Sequence, residues 1–458
     1  MTSAGQDHPK AGAGARACVN FPHRWLIRVR PRRSRPSTPS HQRGQALILT
    51  ALLIIVGFGA LLFSSTILVS NSIANQQAKN VEIELAKVRD ALIGWSASRT
   101  PPVGGANARP GDLPCPDMNN DGFEDGSCVA GAIGRMPWKT LNIPEPKGSA
   151  AETLWYAIAG PFRNYNMNAA PITSDTLGDL TLYIGSSATT LTSQAIAVIF
   201  VPGASLGTQN RDPSANALCA TTGTTIARNL CAANYLEATG GGNNAQTGGP
   251  FIQAQSSGTF NDRLLVITNA ELMPVVEQRV AREMRSLLQS YKAATATSAS
   301  YLGGVYPWAD NWNGVSNDGE NRHRFPCDTA SPVNWNTLVP GSVPGTNTPA
   351  LPNWLTNGCG SNSVGWSHIM YYTSGRNWLD TATVCSPGFC TAPSGSLSVG
   401  GVSGFEVVLL TPGAASASPR GAWPTVYFED AENNDDNDDN YVTPTSTAYT
   451  RDRIFTIP

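Results

Sequence analysis

The longest apolar stretch of the chain lies near its N-terminus. No ionisable side chain occurs from residue 45 to residue 78, and the most apolar part of that stretch is residues 46–69. A membrane-spanning helix needs about 20 apolar residues, because each residue rises about 1.5 Å through about 30 Å of hydrocarbon. The pattern therefore predicts a long N-terminal helix over residues 45–98, with residues 46–69 spanning a membrane.

The charges on either side of this stretch predict its orientation. Residues 1–44 form a basic leader that contains nine Lys and Arg residues and a single acid, Asp7. Positively charged flanks stay in the cytoplasm, so the remainder of the chain is expected to be exported. We therefore expect a single-pass inner-membrane protein with a periplasmic or extracellular C-terminal part. A plain signal anchor, which is never cleaved, is the alternative.

The cysteines agree with export. Eight of the nine follow the apolar stretch, and an even number in an oxidising compartment is typical of disulfides. No Cys-x-x-Cys pair is present and only two histidines follow the leader, which disfavours the alternative of a zinc site. The simplest pairing joins sequence neighbours: Cys115 with Cys128, Cys219 with Cys231, Cys327 with Cys359, and Cys385 with Cys390.

Two similar series of local patterns follow the apolar stretch. Each has an amphipathic helical stripe, a Pro-containing turn with an acid, an aromatic segment, an apolar strand that runs into Pro-Gly-Ala, a Tyr-x-Glu triplet and an Asp-Arg pair before a last strand. Six features in one order predict two copies of one module, at residues 80–268 and 269–458. The fold class expected is α+β, with two tandem heads that each combine a helix with an antiparallel sheet.

The leader, which ends in His41-Gln42-Arg43-Gly44, together with the uncharged stretch and a β-rich remainder, resembles a type IV pilin-like prepilin. Minor pilins and pseudopilins of type II secretion and type IV pilus machines are the nearest in kind. The resemblance implies that a prepilin peptidase cuts between Gly44 and Gln45 and methylates the new N-terminus. It also implies packing against other pilin-like subunits through the N-terminal helix, in the inner membrane.

Two positions depart from the pattern of that family. The mature chain would begin with Gln45 where Phe or Met is usual, and its fifth residue would be Leu49 where most pilins have Glu. In the family that glutamate neutralises the terminal amine of a neighbouring subunit, and a subunit at the tip has no such neighbour. The departure therefore favours a minor or tip-located subunit. The string from Arg43 to Leu47 also resembles Tad-type pseudopilins, which are the alternative within this class.

One acidic loop resembles the first half of a calcium-binding loop, D-x-[DN]-x-[DN]-G. Oxygen ligands converge in such a loop because its glycine, here Gly122, allows a sharp turn. The usual bidentate Glu is missing, since Cys128 occupies its position. An Asx-rich turn closed by the Cys115–Cys128 disulfide is the alternative. The candidate calcium ligands are Asp117, Asn119, Asp121, the carbonyl of Phe123, and Asp125.

The sequence contains no recognisable catalytic motif, and a net charge of −2 leaves no basic surface for nucleic acid outside the leader. The acid-rich residues 429–440 are interpreted as a solvated loop, with a metal site as the alternative. We therefore expect a non-catalytic, pilin-like or pseudopilin-like subunit of a type II secretion or type IV pilus-type assembly. The alternative is a signal-anchored periplasmic or surface protein that binds a glycan or an envelope protein through its Trp-rich second module and does not polymerise.

Overall fold

The computed structural model describes two helices and eighteen short strands. Helix α1 covers residues 75–98 and helix α2 covers Asn269–Ala293. The described residues are 75–99, 109–164, 171–185, 187–293, 306, 309, 322–325, 365–375, 397–415, 428, 433, 439–443 and 452–458. The leader, the predicted membrane-spanning stretch and the cleavage position at Gly44 and Gln45 lie outside them.

The strands fall into two series. The first comprises β1 (Ile133–Arg135), β2 (Trp155–Ile158), β3 (Leu180–Ile184), β4 (Thr189–Ala195), β5 (Ala197–Val201), β6 (Asn216–Leu218), β7 (Thr225–Ala227), β8 (Ala238–Thr239), β9 (Gly242–Asn243), β10 (Phe251–Gln253) and β11 (Arg263–Ile267). The second comprises β12 (Arg322–Arg324), β13 (Tyr371–Ser374), β14 (Leu397–Val399), β15 (Val402–Phe405), β16 (Val407–Thr411), β17 (Asn440–Tyr441) and β18 (Arg453–Ile457).

Both helices bury one apolar stripe. In α1 the buried positions are Val81, Leu85, Val88 and Leu92, which recur every three or four residues and so lie on one face. Helix α2 buries a similar stripe that includes Val280. It begins with a capping box, in which the Glu271 carboxylate accepts the N–H of Thr268 at 3.0 Å.

Each series contains a four-stranded antiparallel sheet whose third strand is buried along its whole length. The first has the order β1-β2-β5-β11 and the second the order β12-β13-β16-β18. All five residues of β5 (Ala-Val-Ile-Phe-Val) and all five of β16 (Val-Val-Leu-Leu-Thr) are buried. A strand buried on both faces reads as a continuous apolar run, which explains the lack of alternation in these two segments.

Each series also contains a three-stranded sheet with one parallel pair. Strand β3 lies between β4, which is antiparallel to it, and β10, which is parallel. In the same way β14 lies between the antiparallel β15 and the parallel β17. Among the described residues, the two series therefore share the strand order of the four-stranded and of the three-stranded sheet. The exact limits of two repeats, at 80–268 and 269–458, stay a prediction.

The expected fold class is wrong. The described chain is mostly small sheets, with two helices, rather than two α+β heads each built on a wholly antiparallel sheet. The Gly-, Ser-, Thr- and Asn-rich segments form strands of two to seven residues joined by turns, because turn residues recur too often for longer elements. Nor is the pilin-like N-terminal transmembrane helix seen. Among the described residues, no helix combines the length and apolar character needed to cross a bilayer.

Candidate functional site

The candidate calcium loop is held at both ends. Cys115 and Cys128 form a disulfide with their Cα atoms 5.8 Å apart. Between them, the backbone of Asp117 exchanges two hydrogen bonds with that of Arg135 on β1, at 3.0 and 2.7 Å. The loop is thereby attached to the edge of the first four-stranded sheet.

The carboxylate of Asp117 turns back onto its own loop. It accepts the N–H groups of Asn120 at 2.6 Å, Asp121 at 3.2 Å and Gly122 at 2.7 Å. Burial raises the pKa of Asp117, while these N–H donors act in the opposite direction. Gly122 has a φ of +90°, and a Cβ there would come within 2.8 Å of the Trp138 ring, so this position requires glycine.

The other predicted ligands lie in the same turn, and their oxygen atoms also accept N–H donors of the loop. Asp121 accepts the N–H of Phe123 at 2.8 Å, and Asn119 accepts the N–H of Asp121 at 2.9 Å. Asp125 accepts the N–H of Met118. Within the described ranges, no group of three or more His, Cys, Asp or Glu side chains is arranged to hold a metal ion. These contacts are those expected of an Asx-rich turn, and calcium binding stays a prediction.

The prediction that the chain contains disulfides is confirmed by two bonds. Besides Cys115–Cys128, Cys219 and Cys231 are bonded with their Cα atoms 5.6 Å apart, and this bond closes the hairpin of β6 and β7. The other four cysteines that follow the apolar stretch lie outside the described residues: Cys327, Cys359, Cys385 and Cys390.

A stack of cations and rings lies beside the disulfide-closed segment. The guanidinium of Arg135 lies 4.6 Å from the Trp155 ring and 4.1 Å from the Tyr235 ring, and Arg211 lies 4.5 Å from Tyr235. Arg135 also donates to the carbonyl of Asn229, at 3.3 Å, within the disulfide-closed segment. Such stacks stabilise by roughly 0.5–2 kcal/mol per contact, depending on desolvation.

Helix α1 joins the body of the protein to the stretch that precedes it. Its apolar stripe belongs to the same hydrophobic core as β2, β5 and β11. Residues of this helix and residues 147–149 line a groove of about 410 Å³, and Ile83 on the helix is 45% exposed. The first described residues of α1, 75–78, are the last four of the uncharged stretch, so the end of that stretch is part of a helix packed on the core.

Two buried asparagines occupy matching places in the two series. Asn244 accepts the N–H of Ile252 at 2.8 Å and donates to the carbonyl of the same residue at 3.1 Å. Asn433 makes the same two bonds with Val442, at 2.9 and 3.1 Å. Each therefore binds the backbone of the chain at the parallel strand of its three-stranded sheet, as another strand would. We call Asn244 and Asn433 the asparagine clamps.

Each asparagine also donates to an aspartate that immediately precedes the last strand of its four-stranded sheet. Asn244 is 3.0 Å from Asp262, and Asn433 is 3.5 Å from Asp452. The sequence analysis missed both asparagines, because they stand in Gly- and Asn-rich segments that read as turns. Their nearly equal distances along the chain from the two Asp-Arg pairs, 18 and 19 residues, are the signal that could have identified them.

The second acid-rich stretch is described at three positions. Asp439 pairs with Arg322 of β12 at 3.2 Å, and both side chains are largely buried. Asn440 begins β17, and Asn433 is the clamp described above. At these positions the stretch is part of the sheet framework rather than the solvated loop that was expected. The rest of residues 429–440 lies outside the described part.

Comparison of the chain with protein-family models, with curated proteins and with solved structures gave no match in any of the three. The resemblance to pilin-like prepilins therefore rests on the sequence features of residues 40–98.

Proposed function

We propose that the protein is a non-catalytic subunit of a pilin-like envelope assembly of the type II secretion or type IV pilus kind, with a minor or tip location. The apolar stretch 46–69 holds it in the inner membrane, and the body from α1 onwards lies in the periplasm or outside the cell. The partners are other pilin-like subunits, which pack against the apolar stretch, and a prepilin peptidase that acts at Gly44.

The observation that carries this proposal is the burial of α1. Val88 and Leu92 of this helix are fully buried in the core that also contains the first sheet. This packing couples residues 75–98 to the body, which supports a role in which the apolar stretch before them packs against other subunits. The two disulfides agree with an oxidising compartment outside the cytoplasm.

Mass spectrometry of the mature N-terminus tests the proposal. The full-length chain would be expressed in a cell that contains a prepilin peptidase and extracted from its membranes with detergent. The expected result is a chain that begins with N-methylated Gln45. Gly44→Val should abolish this processing, because a branched side chain would replace glycine at the cut, whereas Gly14→Val in the leader should leave it unchanged.

Packing of the apolar stretch is tested by disulfide cross-linking in the membrane. Leu52→Cys is expected to give adducts with other pilin-like subunits, and Thr222→Cys, on the exposed hairpin, should give none. An intact leader together with no adduct from position 52 would contradict the assembly role and would favour a signal-anchored binding protein.

A further inference from the structure

Two buried carboxyl groups are held against each other where β8 and β11 begin. Glu237 is 7% exposed and Asp262 is 5% exposed. The N–H of Glu237 donates to Asp262 Oδ2 at 2.8 Å, and the N–H of Asp262 donates to Glu237 Oε2 at 3.2 Å. Each side chain therefore binds the other residue's backbone, and this exchange keeps the two carboxyl groups together.

The hydrogen bonds divide unequally between the two groups. Glu237 receives two further donors, the N–H of Asn261 at 3.0 Å and the Nε2 of Gln209 at 2.9 Å, so both of its oxygens are occupied. Asp262 receives one more, from Asn244, on the same Oδ2. Oδ1 of Asp262 is buried and has no donor among the described residues. A proton can occupy this oxygen without displacing a hydrogen bond. The protonated Asp262 would then donate a hydrogen bond to the adjacent Glu237 carboxylate.

The charges around the pair do not balance two carboxylates. No Lys, Arg or His of the described residues bonds to either group. Arg211 bonds instead to Gln209 and Glu152, both at 3.3 Å, and to the carbonyls of Gly203 and Asn234. The residue that follows Asp262, Arg263, is exposed. Burial, and then the charge of Glu237, raise the pKa of Asp262 to about 8. An unbalanced pair of buried charges is costly, and a shared proton removes one of them.

We propose that Asp262 carries a proton that it shares with Glu237, and that loss of this proton releases the segment between them from the sheet. That segment, residues 237–262, contains β8, β9 and β10. The Asp262 side chain also holds Asn244, which in turn holds both backbone groups of Ile252 in β10. The proton on Asp262 thus controls how firmly β10 is bound to β3.

The direction of the pH effect follows from the pKa of Asp262. In the unfolded chain an aspartate has a pKa of about 3.9, and in the fold that of Asp262 lies about four units higher. The folded state therefore binds the proton more tightly than the unfolded state does. The stabilisation is complete below about pH 4, declines as the pH rises, and is lost once the pH passes about 8.

Hydrogen exchange of the full-length protein in detergent, corrected for the intrinsic pH dependence of exchange, measures the opening of β10. In the wild-type protein the open population of residues 251–253 should rise by up to about tenfold per pH unit between about pH 5 and pH 8. Asp262→Asn should remove this dependence. Asp212→Asn, at an exposed aspartate of the same series, should retain it.

Glu237→Gln provides a second variant in case Asp262→Asn fails to fold. It removes the neighbouring charge and so lowers the pKa of Asp262 in the fold, and the rise in exchange should therefore level off at a lower pH than in the wild-type protein. Equal pH dependence in the wild-type protein and in either pair variant would overturn the proposal. It would also be overturned if millimolar calcium, added at about pH 8, abolished the opening of the wild-type protein, because a cation rather than a proton would then neutralise the pair.

Discussion

Glu277 and Arg453 form a buried ion pair that attaches helix α2 to strand β18. The carboxylate of Glu277 is fully buried, and the Arg453 guanidinium donates to its Oε2. Glu277 also accepts the hydroxyls of Ser174, from the first series, and of Thr411 on β16, the latter at 3.4 Å. Burial lowers the pKa of Arg453. A single carboxylate therefore connects four segments that are far apart in the sequence.

Removing this carboxylate should destabilise the protein strongly. Glu277→Ala leaves the Arg453 guanidinium partly buried without its partner, and the expected loss is about 3–5 kcal/mol in the free energy of unfolding. Urea denaturation measures it. The matched control is Arg279→Ala on the same helix, which removes a half-exposed pair with Glu283 and should cost at most about 0.5 kcal/mol. Equal losses in the two variants would contradict the structural role of the buried pair.

The matching asparagine clamps should be of similar importance in the two series. Asn244→Ala leaves the buried N–H and carbonyl of Ile252 without partners, and Asn433→Ala does the same to Val442. Each unsatisfied group costs about 1–3 kcal/mol, so each variant should lose at least about 2 kcal/mol of stability. Thermal unfolding measures both. A loss confined to one variant would show that the two clamps are not equivalent.

The two disulfides should contribute comparably to stability. They close loops with sequence separations of 13 and 12 residues, and a loop of this size stabilises by about 3 kcal/mol through restriction of the unfolded chain. The variants compared are Cys115→Ser with Cys128→Ser, and Cys219→Ser with Cys231→Ser. Each double variant should lower the denaturant midpoint of the full-length protein. A reducing agent should lower the midpoint of each variant less than that of the wild-type protein, because one of the bonds is already absent. An unchanged midpoint in both would contradict the prediction.

A substitution of Asp117 distinguishes a calcium-binding loop from an Asx-rich turn. Its carboxylate accepts three backbone N–H groups, so Asp117→Ala should reduce stability by about 1–3 kcal/mol even in excess chelator. Asp212→Asn is the exposed control. If the loss appears only when calcium is present, the residue acts as a metal ligand and the turn does not depend on its side chain. Isothermal titration with calcium chloride completes the comparison.

The contribution of α1 packing to stability can be measured by substituting one buried leucine. Leu92 is fully buried, and Leu92→Ala should cost about 2–5 kcal/mol through lost burial and the cavity that remains. Ile83→Ala on the exposed face of the same helix should change stability by about 0.5 kcal/mol or less. If Leu92→Ala were as mild as the control, α1 would not be packed as described, and the coupling on which the proposed function depends would be lost.

The sequence predicted the elements with a strong local signal. The stripes from Val81 to Leu92 and around Val280 predicted two amphipathic helices, and both are present with those faces buried. The disulfides Cys115–Cys128 and Cys219–Cys231 could be predicted because each joins the nearest cysteine along the chain. The predicted calcium ligands do gather in one turn, since Gly122 dictates the turn.

The fold class could not be predicted, because the signals that decide it are not local. The parallel pairing of β3 with β10 joins strands that are far apart, and three-residue β10 has no periodicity of its own. In the sequence Glu277 is an ordinary polar residue of a helix, and only the structure shows that Arg453 of β18 pairs with it. Asn244 and Glu237 lie in segments whose composition is typical of turns, and their roles appear only once Asp262 is placed beside them.

The parallel strand pairs have a consequence for the biogenesis of the protein. Strand β3 ends at Ile184, and its parallel neighbour begins at Phe251, about 70 residues later. At roughly 5–20 residues per second, a ribosome needs several seconds to deliver that neighbour. During this interval the nascent chain has an open strand edge. The nascent chain would therefore benefit from a chaperone that covers β3 until β10 emerges, and slower translation between them would prolong the risk of aggregation.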